Sequence, residues 1–194
     1  KSLINLIGER QFIDRLNAGF ATSEKVSFNA LGDNMGAYPI NHGNETNMQA
    51  AYLFSYTSEP WHTQKWARAI QEKYYGMGPR DAYPGDEDQG QMSSWYILSS
   101  IGLFQMDGGC SKDPVWLLGS PRFDRVEILL DNTYYSGKKL IIKAENVSKD
   151  NCYIQYVRFN NKRLSNNYIE WSKLKKGGTL HFIMGDRPNP NAFK

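Results

Sequence analysis

The stretch "QGQMSSWYILSSIGLFQMDGG", residues 89–109, decides the fold class, because the chain changes its apolar period across it. Before its closing glycines the apolar residues recur at helical spacing; after them they alternate. Upstream, "KSLINLIGERQFIDRLNAGF" (1–20) carries Phe12, Leu16 and Phe20 at i, i+4 and i+8 with Ile13 beside them, which predicts a helix with one apolar face. "NETNMQAAYLFSYTS" (44–58) sets Met48, Ala51, Tyr52 and Ser55 on one helical face. In "EPWHTQKWARAIQEKYY" (59–75) Pro60 suits a first helical turn, and the apolar repeat continues through Trp61, Trp66, Ala69 and Ile70. Downstream, "DRVEILLD", "KKLIIKAEN", "CYIQYVRFN", "NNYIEWS" and "TLHFIMG" are short runs rich in Val, Ile, Tyr and Phe. Ser136-Gly137, Asn160-Asn161 and Gly177-Gly178 punctuate them as turns. The expectation is an α+β chain: a helical part over residues 1–108 and an antiparallel β domain, a sheet or small sandwich, over residues 109–194. There are no internal repeats and no low-complexity tracts.

Composition narrows the function. With 194 residues, 40% hydrophobic and 13% aromatic, the chain can bury a core. A net charge of +3, from 23 basic and 20 acidic residues, includes no basic block beyond Lys173, Lys175 and Lys176, so a nucleic-acid partner is not expected. No apolar run approaches the roughly 20 residues of a membrane helix, and the first residues lack a signal-peptide pattern. Cys110 and Cys152 are too few for a disulfide scaffold or a cysteine zinc site and are read as free thiols. The chain begins without methionine and already inside a helical pattern, which reads as a piece of a larger protein.

Three acids in a row, Asp86, Glu87 and Asp88, lie between glycines in "YPGDEDQGQMSSWY" (83–96). The helix that follows accounts for one of them as a cap, since free amides and the helix dipole favour a carboxylate by about 0.3–1 kcal/mol. It does not account for three mutually repelling charges in a loop whose glycines let a ligand approach the backbone. A helix-loop-helix calcium motif fails, because Gln91 stands where its glycine is needed and Ile97 where its bidentate acid is needed. Sugar hydrolysis remains, as it needs a pair of carboxyl groups. The loop "YPINHGNETNM" (38–48) adds Glu45, Asn44 and His42; Asn44 or Thr46 can serve there as a helix cap, and His42 as a hydrogen-bonded loop residue. His62 and His181 fall on a helix and a strand, so no histidine cluster points to zinc.

"GNET…AYLFSYTSEPWHTQ", "YPGDEDQGQMSSWYILSSIGLF", "LLGSPRFDRVEI", "NCYIQYVRFNNK" and "GGTLHFIMGDRPN" together resemble, in order and spacing, the carboxy-terminal part of the bacterial calcium-dependent α-mannosidases of glycoside hydrolase family 92. The resemblance covers the chain from about Phe12. It implies the last helices of an (α/α)6 toroid followed by β structure. It also implies inverting, exo-acting hydrolysis of α-mannosides in mannose-containing glycans, with an α-1,2 linkage preference, in a periplasmic or secreted enzyme. Carried over residue by residue, it makes Asp86 and Asp88 the candidates for the general base, with Asp88 preferred and Glu87 turned away. It makes Asn44 and Glu45 sugar-binding, and Asn44, Glu45 and Gln49 candidate calcium ligands.

The sequence departs from the family pattern where Thr46 replaces a common proline, where Met48 and Gln49 replace histidines, and where His62 replaces a lysine; these departures bear on linkage specificity. The resemblance implies a general acid that is a glutamate well upstream of the "GNE" loop, which places it before Lys1; Glu9, Glu24 and Glu59 carry no accompanying motif. The chain alone is therefore expected to be inactive, with its exposed helix faces covered by the missing amino-terminal part or by self-association. Trp61, Trp66, Trp95 and Tyr96 are read as core. The rival reading is a non-catalytic carbohydrate-binding or structural module, which would show a flat aromatic platform and dispersed acids.

Overall fold

The computed structural model describes residues 2–30, 32–83, 85–87 and 89–194 and, at residues 32 and 33, the backbone alone. The chain forms two compact units, Lys1–Ile97 and Leu98–Lys194.

The first unit is helical. Its opening run divides into α1 (Ser2–Ile7) and α2 (Glu9–Ser23), because Gly8 adopts φ +85, a left-handed value that ends one helix and starts the next. α1 buries no residue and leaves Leu6 81% exposed. α2 buries Phe12, Ile13 and Phe20 on the face the spacing indicates. A 3-10 turn at Glu24–Val26 and another at Gly32–Gly36 lead to α3 (Glu45–Met48). Residues Ala50–Tyr56 then coil as a 3-10 helix rather than continuing the expected α-helix, which buries Ala50 and Phe54 along with Ala51, Tyr52 and Ser55.

α4 (Trp61–Lys73) packs against this 3-10 segment and places Trp66 at the centre of the unit. The Trp66 ring stacks on Phe20 at 5.3 Å and meets Phe28 edge-on at 6.4 Å, while Phe20 packs against Phe54 at 5.9 Å. The Trp66 indole N–H donates to Asn17 Oδ1 at 2.8 Å, so the one polar atom of the ring is satisfied. Each such buried aromatic contributes about 1.5–3 kcal/mol by area, with about 0.5–1.5 kcal/mol more for a favourable ring pair. α5 (Gln91–Ser100) begins in this unit and runs on across its limit.

The second unit is β-rich. A three-stranded antiparallel sheet runs β1 (Leu103–Phe104), β2 (Val115–Leu118), β7 (Tyr168–Glu170). A five-stranded sheet has the order β3 (Arg125–Leu129), β4 (Lys139–Glu145), β8 (Gly178–Gly185), β5 (Tyr153–Phe159), β6 (Lys162–Arg163). The short helix α6 (Trp171–Leu174) follows β7 directly. Alternate residues of β4 (Leu140, Ile142, Ala144) and β8 (Leu180, Phe182, Met184) enter one core with Leu118 and Ile169 of the smaller sheet.

The α+β class is as expected. The antiparallel expectation holds for every pair but one: β4 and β8 run parallel, Leu140 opposite Gly178. The reason lies at their starts. Gly137 approaches the Lys176–Gly177 backbone so closely that a Cβ on it would sit 2.4 Å from Gly177 N, and Gly177 turns at φ +74. Two chain segments therefore enter the sheet side by side at the same end. Asn160 and Asn161, both at positive φ, make the tight turn from β5 to β6 that their sequence signals. No helix among the described residues is long and apolar enough to cross a membrane.

Candidate active site

The two loops singled out in the sequence meet within the helical unit. A Cβ built on Gly85 would lie 3.3 Å from Gly43 Cα, 2.8 Å from the Tyr74 hydroxyl and 3.1 Å from Met92 Sδ. The backbone next to Asn44 thus lies close to the backbone next to Asp86, and a side chain at position 85 would crowd the Tyr74 hydroxyl first and Gly43 least. Gly85 is placed for this close approach, since its φ is not left-handed.

Asn44 caps α3. Its Oδ1 accepts from the Thr46 amide at 3.4 Å and from Thr46 Oγ1 at 3.2 Å, which orients the amide group and leaves its two N–H donors over. A proline at position 46 would lack the first of these donors. Glu45 begins α3 and is exposed, and Gln49, four residues on, continues the helical backbone and is half-buried. The two side chains therefore share one side of the turn. Glu45 and Gln49 offer oxygens of the hard type that calcium takes, and Asn44 Oδ1 would have to give up a bond to Thr46 to join them; the set falls short of the six to eight oxygens calcium needs. Among the described residues no group of three or more His, Cys, Asp or Glu could hold a metal by itself.

On the acidic loop, Asp86 is exposed; Asp88, the preferred base, lies outside the described residues. Glu87 sits at φ +64 and Gln89 at φ +60, a backbone region that side chains with a Cβ rarely occupy, and Gly90 follows at φ +91. Such strain concentrates at functional loops. Glu87 serves the structure, because its carboxylate accepts from the Ser93 hydroxyl and from the Ser93 amide in the first turn of α5, the latter at 2.9 Å. The Ser93 hydroxyl, then its amide, hold the Glu87 carboxyl below the ordinary glutamate range. One acid of the triplet is thus the helix cap that the sequence allows for.

Behind the loops lies a closely packed aromatic wall. His42 is fully buried, with its ring 4.3 Å from Trp95, 5.0 Å from Tyr74 and 5.5 Å from Tyr75. Its Nε2 is 2.8 Å from the Tyr75 hydroxyl, and that hydroxyl donates to the Met92 carbonyl at 3.0 Å. Burial pushes the imidazole down to about 3, so it is neutral at working pH. His42 is the hydrogen-bonded loop residue that the sequence suggests. The same burial pushes the Tyr75 phenol well up, so its proton stays on. Trp95 donates its indole N–H to the Met48 carbonyl at 2.8 Å, a second tie between α5 and the end of α3.

Trp66 and Trp95 are buried as expected, while Trp61 and Tyr96 are half-buried. Sequence reasoning missed the parts played by Tyr74, Tyr75 and Ser93. The doubled tyrosine after α4 reads as the end of an amphipathic helix, and nothing in its spacing announces the hydroxyl bond. The glycine in each loop was the available signal for their contact.

Comparison with known proteins shows the family. The model of the Glycosyl hydrolase family 92 catalytic domain matches residues 1–186. A GH92 α-mannosidase from Bacteroides thetaiotaomicron, also solved in complex with mannoimidazole, superposes with TM-score 0.81 at 31% identity, over 98% of this chain and 24% of that one. A second protein of that organism, a GH92 inverting mannosidase, gives TM-score 0.70 at 35% identity, over 82% of this chain and 20% of that one. An uncharacterized secreted glycosidase from Arthroderma benhamiae is 28% identical over 187 residues, 95% of this chain and 21% of its own length. The chain thus spans a quarter or less of the length of these relatives, and over nearly all of its own length it belongs to glycosyl hydrolase family 92.

Proposed function

We propose that this chain is the carboxy-terminal part of an exported, exo-acting α-mannosidase that cleaves mannosides, α-1,2 links among them, with inversion, and that it supplies the general base. The observation that supports the reading is the close approach of Gly85 to Gly43, the residues that immediately precede Asp86 and Asn44 in their loops. In this reading Asp88, with Asp86 as the other candidate, is the general base that accepts a proton from the attacking water. Asn44 and Glu45 bind the sugar hydroxyls. Asn44, Glu45 and Gln49, with further oxygens from elsewhere, would hold calcium, which would supply positive charge for binding sugar hydroxyls. The helices belong to an (α/α)6 toroid completed by the rest of the protein.

Inversion also requires a protonated carboxyl about 6.5–9.5 Å from the base. The glutamates in this chain that could be considered are otherwise engaged. Glu9 accepts from the Ser58 amide, Glu24 pairs with Lys73 at 2.9 Å, and Glu59 is shared between Arg10 at 2.7 Å and His62 at 2.9 Å. The Ser58 amide holds the Glu9 carboxyl below the ordinary glutamate range, the wrong state for a proton donor, and Glu24 and Glu59 are taken up by their cationic and imidazole partners. The general acid is therefore assigned to another part of the full-length protein.

The test is a comparison of full-length wild type with Asp86→Asn and Asp88→Asn on α-1,2-mannobiose in calcium buffer, following the anomer first released by proton NMR. The expected result is β-mannose from wild type and a loss of turnover on the order of 100-fold in Asp88→Asn. Release of α-mannose, or turnover within a few fold of wild type in both variants, overturns the assignment.

A further inference from the structure

The Tyr75 hydroxyl is a three-way junction whose protons can be counted. It has one proton, and the Met92 carbonyl, 3.0 Å away, can only accept, so that proton goes to Met92. The Tyr75 oxygen must then accept from His42, 2.8 Å away, so the neutral imidazole carries its proton on Nε2. Its Nδ1 is left as a bare acceptor, buried and without a hydrogen-bond partner among the described residues. A leucine would fill an apolar cage of Tyr74, Tyr75 and Trp95 without leaving such an orphan; a histidine held there at this expense indicates that its Nε2–H bond matters.

What the bond connects gives the reason. His42 precedes Gly43, Asn44 and Glu45 in the sugar-side loop, and Met92 lies in the first turn of α5, whose amino terminus carries the acidic loop. Tyr75 follows α4, is stacked on Trp95 at 6.0 Å with the rings 6° apart, and touches Tyr96 at 4.8 Å, so its ring cannot swing. We propose that Tyr75 is a positioning residue, and that the His42–Tyr75–Met92 chain of hydrogen bonds sets the spacing between the Asn44–Glu45 loop and the Asp86–Glu87 loop. This rests on the reading of those loops as the two sides of a sugar site. Neither His42 nor Tyr75 touches substrate; they act through the backbones they hold. The residues beside the acids can thus be glycines and exposed acids with little packing of their own, because their spacing is fixed from behind.

The experiment is a double-mutant cycle in the full-length protein with Tyr75→Phe, His42→Leu and both together, alongside His42→Gln, which can still donate to Tyr75. Trp66→Phe serves as a control that loosens the core of the unit away from the junction. Two readouts are taken: kcat and KM on an α-mannobioside, and hydrogen–deuterium exchange of the amides of residues 41–49. The expected result is a fall in kcat of about tenfold in either single variant, with no further fall in the double, and a recovery to within about threefold of wild type in His42→Gln. Amide exchange in 41–49 should quicken by about tenfold or more in Tyr75→Phe and stay as in wild type in Trp66→Phe.

Additive losses, or a kcat loss in Tyr75→Phe no larger than in Trp66→Phe at equal loss of melting temperature, overturn the proposal. Unchanged exchange over 41–49 in Tyr75→Phe overturns it whatever the activity. A wild type without turnover on any α-mannoside sinks the functional reading instead, and the exchange measurement then decides the junction by itself.

Discussion

Gly85→Ala tests whether the contact of the two loops matters for turnover. The added Cβ would sit 2.8 Å from the Tyr74 hydroxyl, 3.1 Å from Met92 Sδ and 3.3 Å from Gly43 Cα, where ordinary contacts begin at 3.4 Å. The three obstacles differ in how they can yield. Met92 is a flexible thioether. Tyr74 is 2% exposed and held in the aromatic wall, so it cannot retreat by the 0.6 Å required without disturbing His42. Gly43 needs to give only about 0.1 Å, so the misfit at Tyr74 is relieved mainly by the Gly85 backbone backing away, which displaces the neighbouring Asp86 by a few tenths of an ångström to half an ångström. Given that about 1 Å of misplacement can cost on the order of 100-fold, the expected loss in kcat/KM is about tenfold. Overpacking of this kind destabilises by about 1–3 kcal/mol.

The backbone at Gly85 is not in the left-handed region, so the variant probes the contact alone. The assay is mannobioside turnover in calcium buffer with thermal unfolding recorded on the same samples. Full turnover together with an unchanged melting temperature would refute the steric reasoning. A lowered melting temperature with full turnover would refute the functional importance of the loop contact.

Three further outcomes are expected. Trp66→Ala should destabilise the helical unit by about 3–5 kcal/mol, read by denaturant unfolding, since it empties the space that Phe20 and Phe28 enclose and orphans Asn17 Oδ1. Glu87 has a folded-state pKa held below its unfolded value, so the stability it lends to the start of α5 is full above the unfolded value and is lost as pH falls through the folded one; Glu87→Gln should flatten the acid limb of the stability profile below the ordinary glutamate range, and an unaltered limb would remove Glu87 from the cap role. Exhaustive chelation should abolish turnover of the full-length protein, with calcium restoring it and magnesium failing to, because amide and carboxylate oxygens at irregular spacing suit the larger ion; full activity in chelator counts against the metal.

The parts of the fold legible in the sequence are those with a clean period or a strong local signal. α2, α4 and α5 follow from helical spacing, and β3, β4, β5 and β8 from alternation, because in each the buried face is set by the element itself. β1 and β2 escaped, since two to four apolar residues carry no readable period. The break at Gly8 comes from that residue's left-handed φ, which the apolar period does not record, and the 3-10 path of residues 50–56 depends on packing against α4. The parallel register of β4 and β8 is likewise non-local. At the site, the acidic triplet and Asn44–Glu45 stand out because charge and glycine cluster there, whereas the Tyr75 junction is ordinary in sequence and acquires its meaning only from partners at residues 42 and 92.

The central place of β8 in its sheet bears on the order in which the second unit forms. β8 joins β4 on one side and β5 on the other, so until it is in place the five-stranded sheet exists only as two separate hairpins, β3–β4 and β5–β6. Two-stranded hairpins are marginal in water, and a pairing that spans Leu140 to Gly178 must close a long loop before it is rewarded. During synthesis, therefore, both hairpins emerge from the ribosome and wait with their inner edges open to neighbouring nascent chains. The sheet closes in one late step when residues 178–185 become free, and a ribosome stalled before that stretch would leave an aggregation-prone chain rather than a smaller folded one.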